Sequence, residues 1–139
     1  AEIGDIIQRR IDFEEERRKT IDKSNAVERA QKMFDQKSLN DDVLSDALAM
    51  GDHRFVIAAL ALRAGTSMDN IQKVFDVRAP KAICAVCWKA GFSMRLALKL
   101  QQILGHVKTA NLIYPRGGAD YPMTTEELRW QLGVIGISV

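Results

Sequence analysis

A chain of 139 residues is long enough for one domain that buries about two thirds of the surface its unfolded form exposes, so its core needs neither disulfide staples nor a structural metal. Its 47% hydrophobic and 27% charged residues, with only three prolines and nine glycines, mark a globular protein and exclude an intrinsically disordered one. The net charge of +2 is low for a domain whose main business is nucleic acid.

The longest apolar runs, Phe55 to Leu62 and Ala82 to Trp88, are too short to span a bilayer. The first residues mix Glu2 and Asp5 with Arg9 and Arg10, which is not the pattern of a secretory leader. A cytoplasmic protein with no membrane partner is the expectation. The chain opens on Ala1 within what reads as a helical region, as a fragment of a longer protein would.

In chain order, residues 1–23 form a first segment. Ile3, Ile6, Ile7 and Ile11 make an apolar stripe, followed by the run EEERRKT from Glu14 to Thr20. Arg10 with Glu14, Glu14 with Arg18, and Glu15 with Lys19 have the four-residue spacing that supports an exposed helix. A short striped helix needs something to pack against: a preceding domain in a longer protein, or a second copy in a homodimer formed through this segment. A second region, 24–139, begins with a stripe at Val27, Ala30, Met33 and Phe34.

From position 40 the helix punctuation is clear. Asn40 or Asp41 caps a helix with Val43, Leu44, Ala47 and Leu48 on one face, ended by Gly51. Asp52 opens a helix that is apolar all round up to Leu62 and closes at Gly65, and a helix without a polar face is a buried one. Ser67 caps an amphipathic helix with Met68, Ile71, Val74 and Phe75. Pro80 suits the first turn of the next helix, which runs to Gly91. Ser93 caps another, with Leu96, Ala97, Leu100, Ile103 and Leu104, closed by Gly105. His106 to Met123, with its prolines and paired glycines, reads as a long loop. Thr124 and Glu127 have the spacing of a capping box before a last helix with Leu128, Trp130 and Leu132.

Laying Val56–Phe75 over Ala82–Gln101 exposes a repeat of 26 residues. Ala64, Gly65, Ser67 and Met68 fall on Ala90, Gly91, Ser93 and Met94; Arg63 falls on Lys89 and Lys73 on Lys99. The unit is a buried helix, a tight glycine turn and an amphipathic helix. One pair cannot bury its own apolar face, so neighbours must stack. The expected fold is therefore all-α: short stacked helix pairs forming a HEAT/armadillo-like, right-handed α-solenoid fragment with no β-sheet.

The stretches FVIAALALRAG, APKAICAVCWKAGFSMRLALKLQ and GGADYPMTTEELRWQL resemble the uncharacterised bacterial family called domain of unknown function 2336, over a region from about Ser24 to the end. The resemblance implies a C-terminal helical region of a longer, mainly alphaproteobacterial protein. It implies no established reaction, cofactor or catalytic residue.

Candidate chemistry is sparse. Cys84 and Cys87 form a CxxC, but zinc needs two more ligands, and His53 and His106 lie at opposite ends of the repeat without partner spacing. A redox pair sits at a helix N-terminus, whereas these thiols lie within an apolar helix, so they read as small core residues. The GG of PRGGADYP does not lead directly into a helix, as a phosphate cradle does, and reads as a turn. Trp88 and Trp130 read as packing residues, while Tyr114 and Tyr121, each before a proline in a loop, are candidate surface contacts. Asp69 sits in a first helical turn, where it complements the dipole. No catalytic residue, metal site or cofactor is expected.

The basic residues are the one functional signal. Between Arg54 and Arg116 ten Lys and Arg residues face only Asp69 and Asp76. In stacked repeats Arg63 with Lys89 and Lys73 with Lys99 would form rows, joined by Arg78 and Lys81. The expectation is a non-catalytic interaction module in a bacterial regulatory or scaffolding role, meeting an acidic protein partner through these six residues. A helical-repeat domain binding nucleic acid is the alternative, and a helical-repeat enzyme, which lacks a convergent acid, base or nucleophile here, comes third.

Overall fold

Seven α-helices follow one another in the computed structural model, which describes residues 25–137. They are α1 over residues 25–35, α2 Asp41–Ala49, α3 His53–Ala64, α4 Met68–Asp76, α5 Pro80–Lys89, α6 Met94–Ile103 and α7 Thr125–Val134. A 3-10 turn at Thr109–Asn111 and an isolated bridge between Arg116 and Asp120 interrupt the long loop, and no strand occurs among the described residues. The isoleucine stripe of Ile3, Ile6, Ile7 and Ile11 and the association expected of it lie outside the described residues. No helix among the described residues is long and apolar enough to cross a membrane.

Side-chain caps set most of the helix starts. Asn40 Oδ1 accepts from the Val43 N–H at 3.0 Å, Ser67 Oγ from Asn70 at 3.1 Å, Ser93 Oγ from Leu96 at 3.2 Å and Thr124 Oγ1 from Glu127 at 3.2 Å. Each satisfies one of the N–H groups that a first turn leaves without a partner. At the head of α3 the carboxylate of Asp52 instead accepts from Arg29 at 2.8 Å, tying α1 to α3.

Gly65 and Gly91 end α3 and α5 with φ of 74° and 81°, which a residue without Cβ adopts freely. Gly105 differs from the sequence expectation. His106, at φ 47°, takes the left-handed position after α6. Gly105 is needed for its size instead, because a Cβ there would stand 2.7 Å from Ile83 Cδ1 and 3.0 Å from the Gln101 carbonyl.

The apolar circumference of α3 is explained by its neighbours: α2, α4 and α5 all pack on it, and eight of its twelve residues are buried. Around α5 stand α3, α4, α6 and α7. The Asp41 carboxylate accepts from the Ser93 N–H at 3.2 Å, and Ser45 Oγ accepts from Lys99 Nζ at 3.2 Å. Both contacts ascend the two helices together, so α2 and α6 lie side by side in the same direction. A ring of α2, α3, α5 and α6 results, with α4 laid against α3 and α5, and α7 against α5.

Among the described residues, one polar side chain lies in this core. Gln101, 0% exposed, donates from Nε2 to the Ile113 carbonyl at 3.0 Å and accepts at Oε1 from the Ile113 N–H at 2.8 Å. The amide acts as one rung of a ladder and fastens the loop after α6. A second fastening comes from Tyr121, whose hydroxyl donates to the Phe92 carbonyl at 2.7 Å.

Candidate functional site

The six basic residues of the expected face have different surroundings. Arg63 is committed within the fold. Its Nε donates to the Ala90 carbonyl at 2.8 Å, its Nη1 to the Leu39 carbonyl at 2.8 Å, and its guanidinium lies 4.9 Å from the centre of the Phe92 ring. The planar fork of arginine suits such bridging of two carbonyls, and it joins the ends of α3 and α5 to the segment before α2. Lys89, its repeat counterpart, is half-buried. Lys99 is exposed beside Ser45 of α2, whereas Lys73 is exposed on α4, whose packing partners are α3 and α5.

Lys73, Arg78 and Lys81 flank one feature, the turn from α4 to α5, and all three are exposed. Arg78 occupies the left-handed region at φ 52°, where its N–H donates to the Phe75 carbonyl at 3.0 Å and closes α4. Lys73 lies in the last turn of α4, where a cation complements the helix dipole. Lys81 stands 3.5 Å from the Glu127 carboxylate. Among the described residues, Lys73 and Arg78 have no ion-pair partner.

A groove of about 990 Å³ opens on the molecule beside the N-terminus of α3. Ile57, Met68, Phe75 and Leu104 line it with apolar surface, together with Met50, which is 82% exposed. Its charged lining is mixed: Arg29 and Arg54 against Asp52, Asp69 and Asp76. Both histidines, His53 and His106, line this one groove. Their separation in sequence hides the proximity, which arises because the chain reverses at each turn and brings the end of α6 back to the start of α3. No group of three or more His, Cys, Asp or Glu placed to hold a metal occurs among the described residues.

The two cysteines are buried and free. Burial pushes the Cys84 thiol up to about 12, and burial raises Cys87 as well, only partly offset by its contact with the Tyr121 hydroxyl. Both are neutral thiols at physiological pH, without the thiolate that a nucleophile or redox pair requires. Burial likewise raises Tyr121. The loop tyrosines therefore differ: Tyr114 is exposed, while Tyr121 is a packing residue. Trp130 departs from its expected packing role and is 63% exposed.

The sequence profile of DUF2336, an uncharacterised protein conserved in bacteria, matches residues 3–118, and the chain belongs to that family. The match takes in the N-terminal segment, which the resemblance did not include, and ends before most of GGADYPMTTEELRWQL. No curated protein and no solved structure matches the chain.

Proposed function

We propose that this DUF2336 domain is a non-catalytic interaction module that binds an acidic protein partner in a regulatory or scaffolding role. The observation that carries this reading is the α4–α5 turn, where Lys73, Arg78 and Lys81 are all exposed and two of the three make no ion pair among the described residues. Clustered cations with few partners attract an opposite charge at long range and speed its encounter. Arg63 and Lys89 lie at the far end of α5 from this turn and Lys99 lies beside α2, so the proposed face is narrowed to Lys73, Arg78 and Lys81.

Supporting the solenoid part of the reading, the 26-residue repeat coincides with the pairs α3–α4 and α5–α6, and the first helices α3 and α5 pack on each other. We take these pairs as units of a short, right-handed array of the HEAT or armadillo kind, with the contact of α2 on α6 closing one side. Stacked pairs of this kind offer extended surfaces to partners without any special motif.

The test compares wild type with K73E/R78E/K81E for binding to a glutamate-rich peptide and to a single-stranded oligonucleotide of equal charge, by fluorescence anisotropy at low and physiological salt. Binding of the peptide that weakens with salt and vanishes in the variant supports the proposal. Preference for the oligonucleotide moves the function to nucleic acid. Equal binding by wild type and variant removes this face from the account.

A further inference from the structure

Beside the cationic α4–α5 turn, α7 carries apolar side chains that its own packing does not use. Leu128 and Leu132 are buried and turn one side of α7 inward, toward α5. Trp130, midway between them in sequence, projects from the opposite side and is 63% exposed, as is Val134 one turn further along. Within the turn itself Val77, the C-cap of α4, is 68% exposed next to Arg78.

The Lys81–Glu127 contact at 3.5 Å ties the head of α5 to the head of α7. Glu127, Trp130 and Val134 have the spacing that places them along one strip of a helix, and Trp130 lies about 4.5 Å of helix rise beyond Glu127. The cations of the turn and the apolar strip of α7 therefore meet at this ion pair. Charges are unevenly divided across the junction. Arg78 and Lys73 make no ion pair among the described residues, whereas Glu126 is exposed one turn before Trp130.

We propose that the α4–α5 turn and the Trp130–Val134 strip of α7 form one docking surface for an acidic amphipathic helix of a partner protein. The proposal rests on the acidic-partner reading given above and adds what the partner presents: carboxylates toward Arg78 and Lys73, apolar side chains toward Trp130 and Val134. The occupant follows from the division of charge. Glu126 repels carboxylates from the α7 end while the free cations draw them to the turn, and an amphipathic helix holds its charged and apolar groups on separate faces. A uniformly anionic lipid surface would set its charge against Glu126 as well. Tryptophan and arginine are also the side chains that most often dominate the energy of a protein interface.

The test uses two labelled, helix-forming peptides of equal negative charge, one with leucines at helical spacing and the other with glutamines in their place. Fluorescence anisotropy compares their binding to wild type, Trp130→Ala, Trp130→Phe and K73E/R78E/K81E. Wild type should bind the leucine peptide about tenfold more tightly. Trp130→Ala should abolish that advantage without changing the binding of the glutamine peptide, and Trp130→Phe should retain most of it. Equal affinities in wild type, or an advantage that survives Trp130→Ala, overturn the apolar strip; loss of the glutamine peptide in K73E/R78E/K81E would then leave the acidic-partner reading standing. Binding of neither peptide, or binding indifferent to K73E/R78E/K81E, overturns both. Trp130-dependent binding to phosphatidylserine vesicles in preference to the peptides, or a Trp130-dependent dimer in sedimentation, overturns the proposal in favour of a lipid surface or a second copy.

Discussion

The helix pairs α3–α4 and α5–α6 share a register and a turn, yet equivalent positions do different work. Arg63 bridges two carbonyls and covers Phe92, while its counterpart Lys89 makes no such bridge. Phe75 fills the core of the first pair with carbon, whereas Gln101 at the same position holds the loop after the second. Ala58 and Ala61 become Cys84 and Cys87. Repetition explains where a side chain is placed, and the neighbouring segment determines its role: Arg63 has the Leu39 carbonyl beside it, and Gln101 has a long loop to fasten.

The comparison breaks most visibly at the Phe75/Gln101 position. Replacing Gln101 with Leu strands the Ile113 N–H and carbonyl, and an unpaired buried group costs about 1–3 kcal/mol. The expected loss is about 3 kcal/mol in urea unfolding, against about 1.5 kcal/mol for Phe75→Leu. Equal losses would show that the loop does not depend on Gln101. Next comes the Arg63/Lys89 position. Arg63→Ala removes two charge-assisted bonds and a ring contact and should cost about 2.5 kcal/mol, whereas Lys89→Ala should stay within about 0.5 kcal/mol.

The two turn glycines sharpen the contrast. Gly65→Ala meets no atom within 4 Å, so only left-handed backbone strain of about 1 kcal/mol opposes it. Gly91→Ala adds a Cβ 2.8 Å from Arg63 Nη2, and a cost of about 2 kcal/mol is expected because the guanidinium is held by its two carbonyls. In an Arg63→Ala background the two glycine substitutions should cost the same, since the coupling partner is gone.

The thiols give the smallest effect. Each Cys→Ala should cost about 1 kcal/mol. The unfolded chain releases the Cys84 proton near 9 and the folded chain near 12. A folded-state value raised in this way stabilises fully below the unfolded value and is lost as pH rises toward the folded one. The stability difference between wild type and Cys84→Ala should therefore shrink between about pH 9 and 12. A constant difference across that window would mean the thiol is accessible in the folded protein.

Helix boundaries were legible wherever Ser, Asn, Thr or Gly marks them, because caps and left-handed turns are local chemistry. The buried nature of α3 was legible from its uninterrupted apolar circumference. Trp130 was also open to a stricter reading: two residues from both Leu128 and Leu132, it points away from the face those leucines bury. Gln101 carried a signal too, lying four residues after Ala97 on the apolar stripe of α6. Arg63 carried none, since Leu39 lies 24 positions upstream and nothing local announces the contact. The shared groove of His53 and His106 was equally hidden, because it follows from how successive reversals bring distant helix ends together.

Side-by-side capture from the source cell, with wild type and K73E/R78E/K81E as baits, tests the central claim most directly. Exposed substitutions change stability by about 0.5 kcal/mol or less each, so both baits should show the same helical signal. The account predicts an acidic protein recovered by wild type, insensitive to nuclease, and lost with the charge-reversed bait. Identical partners recovered in equal amounts by both baits would contradict it, leaving the α4–α5 turn a solvated surface.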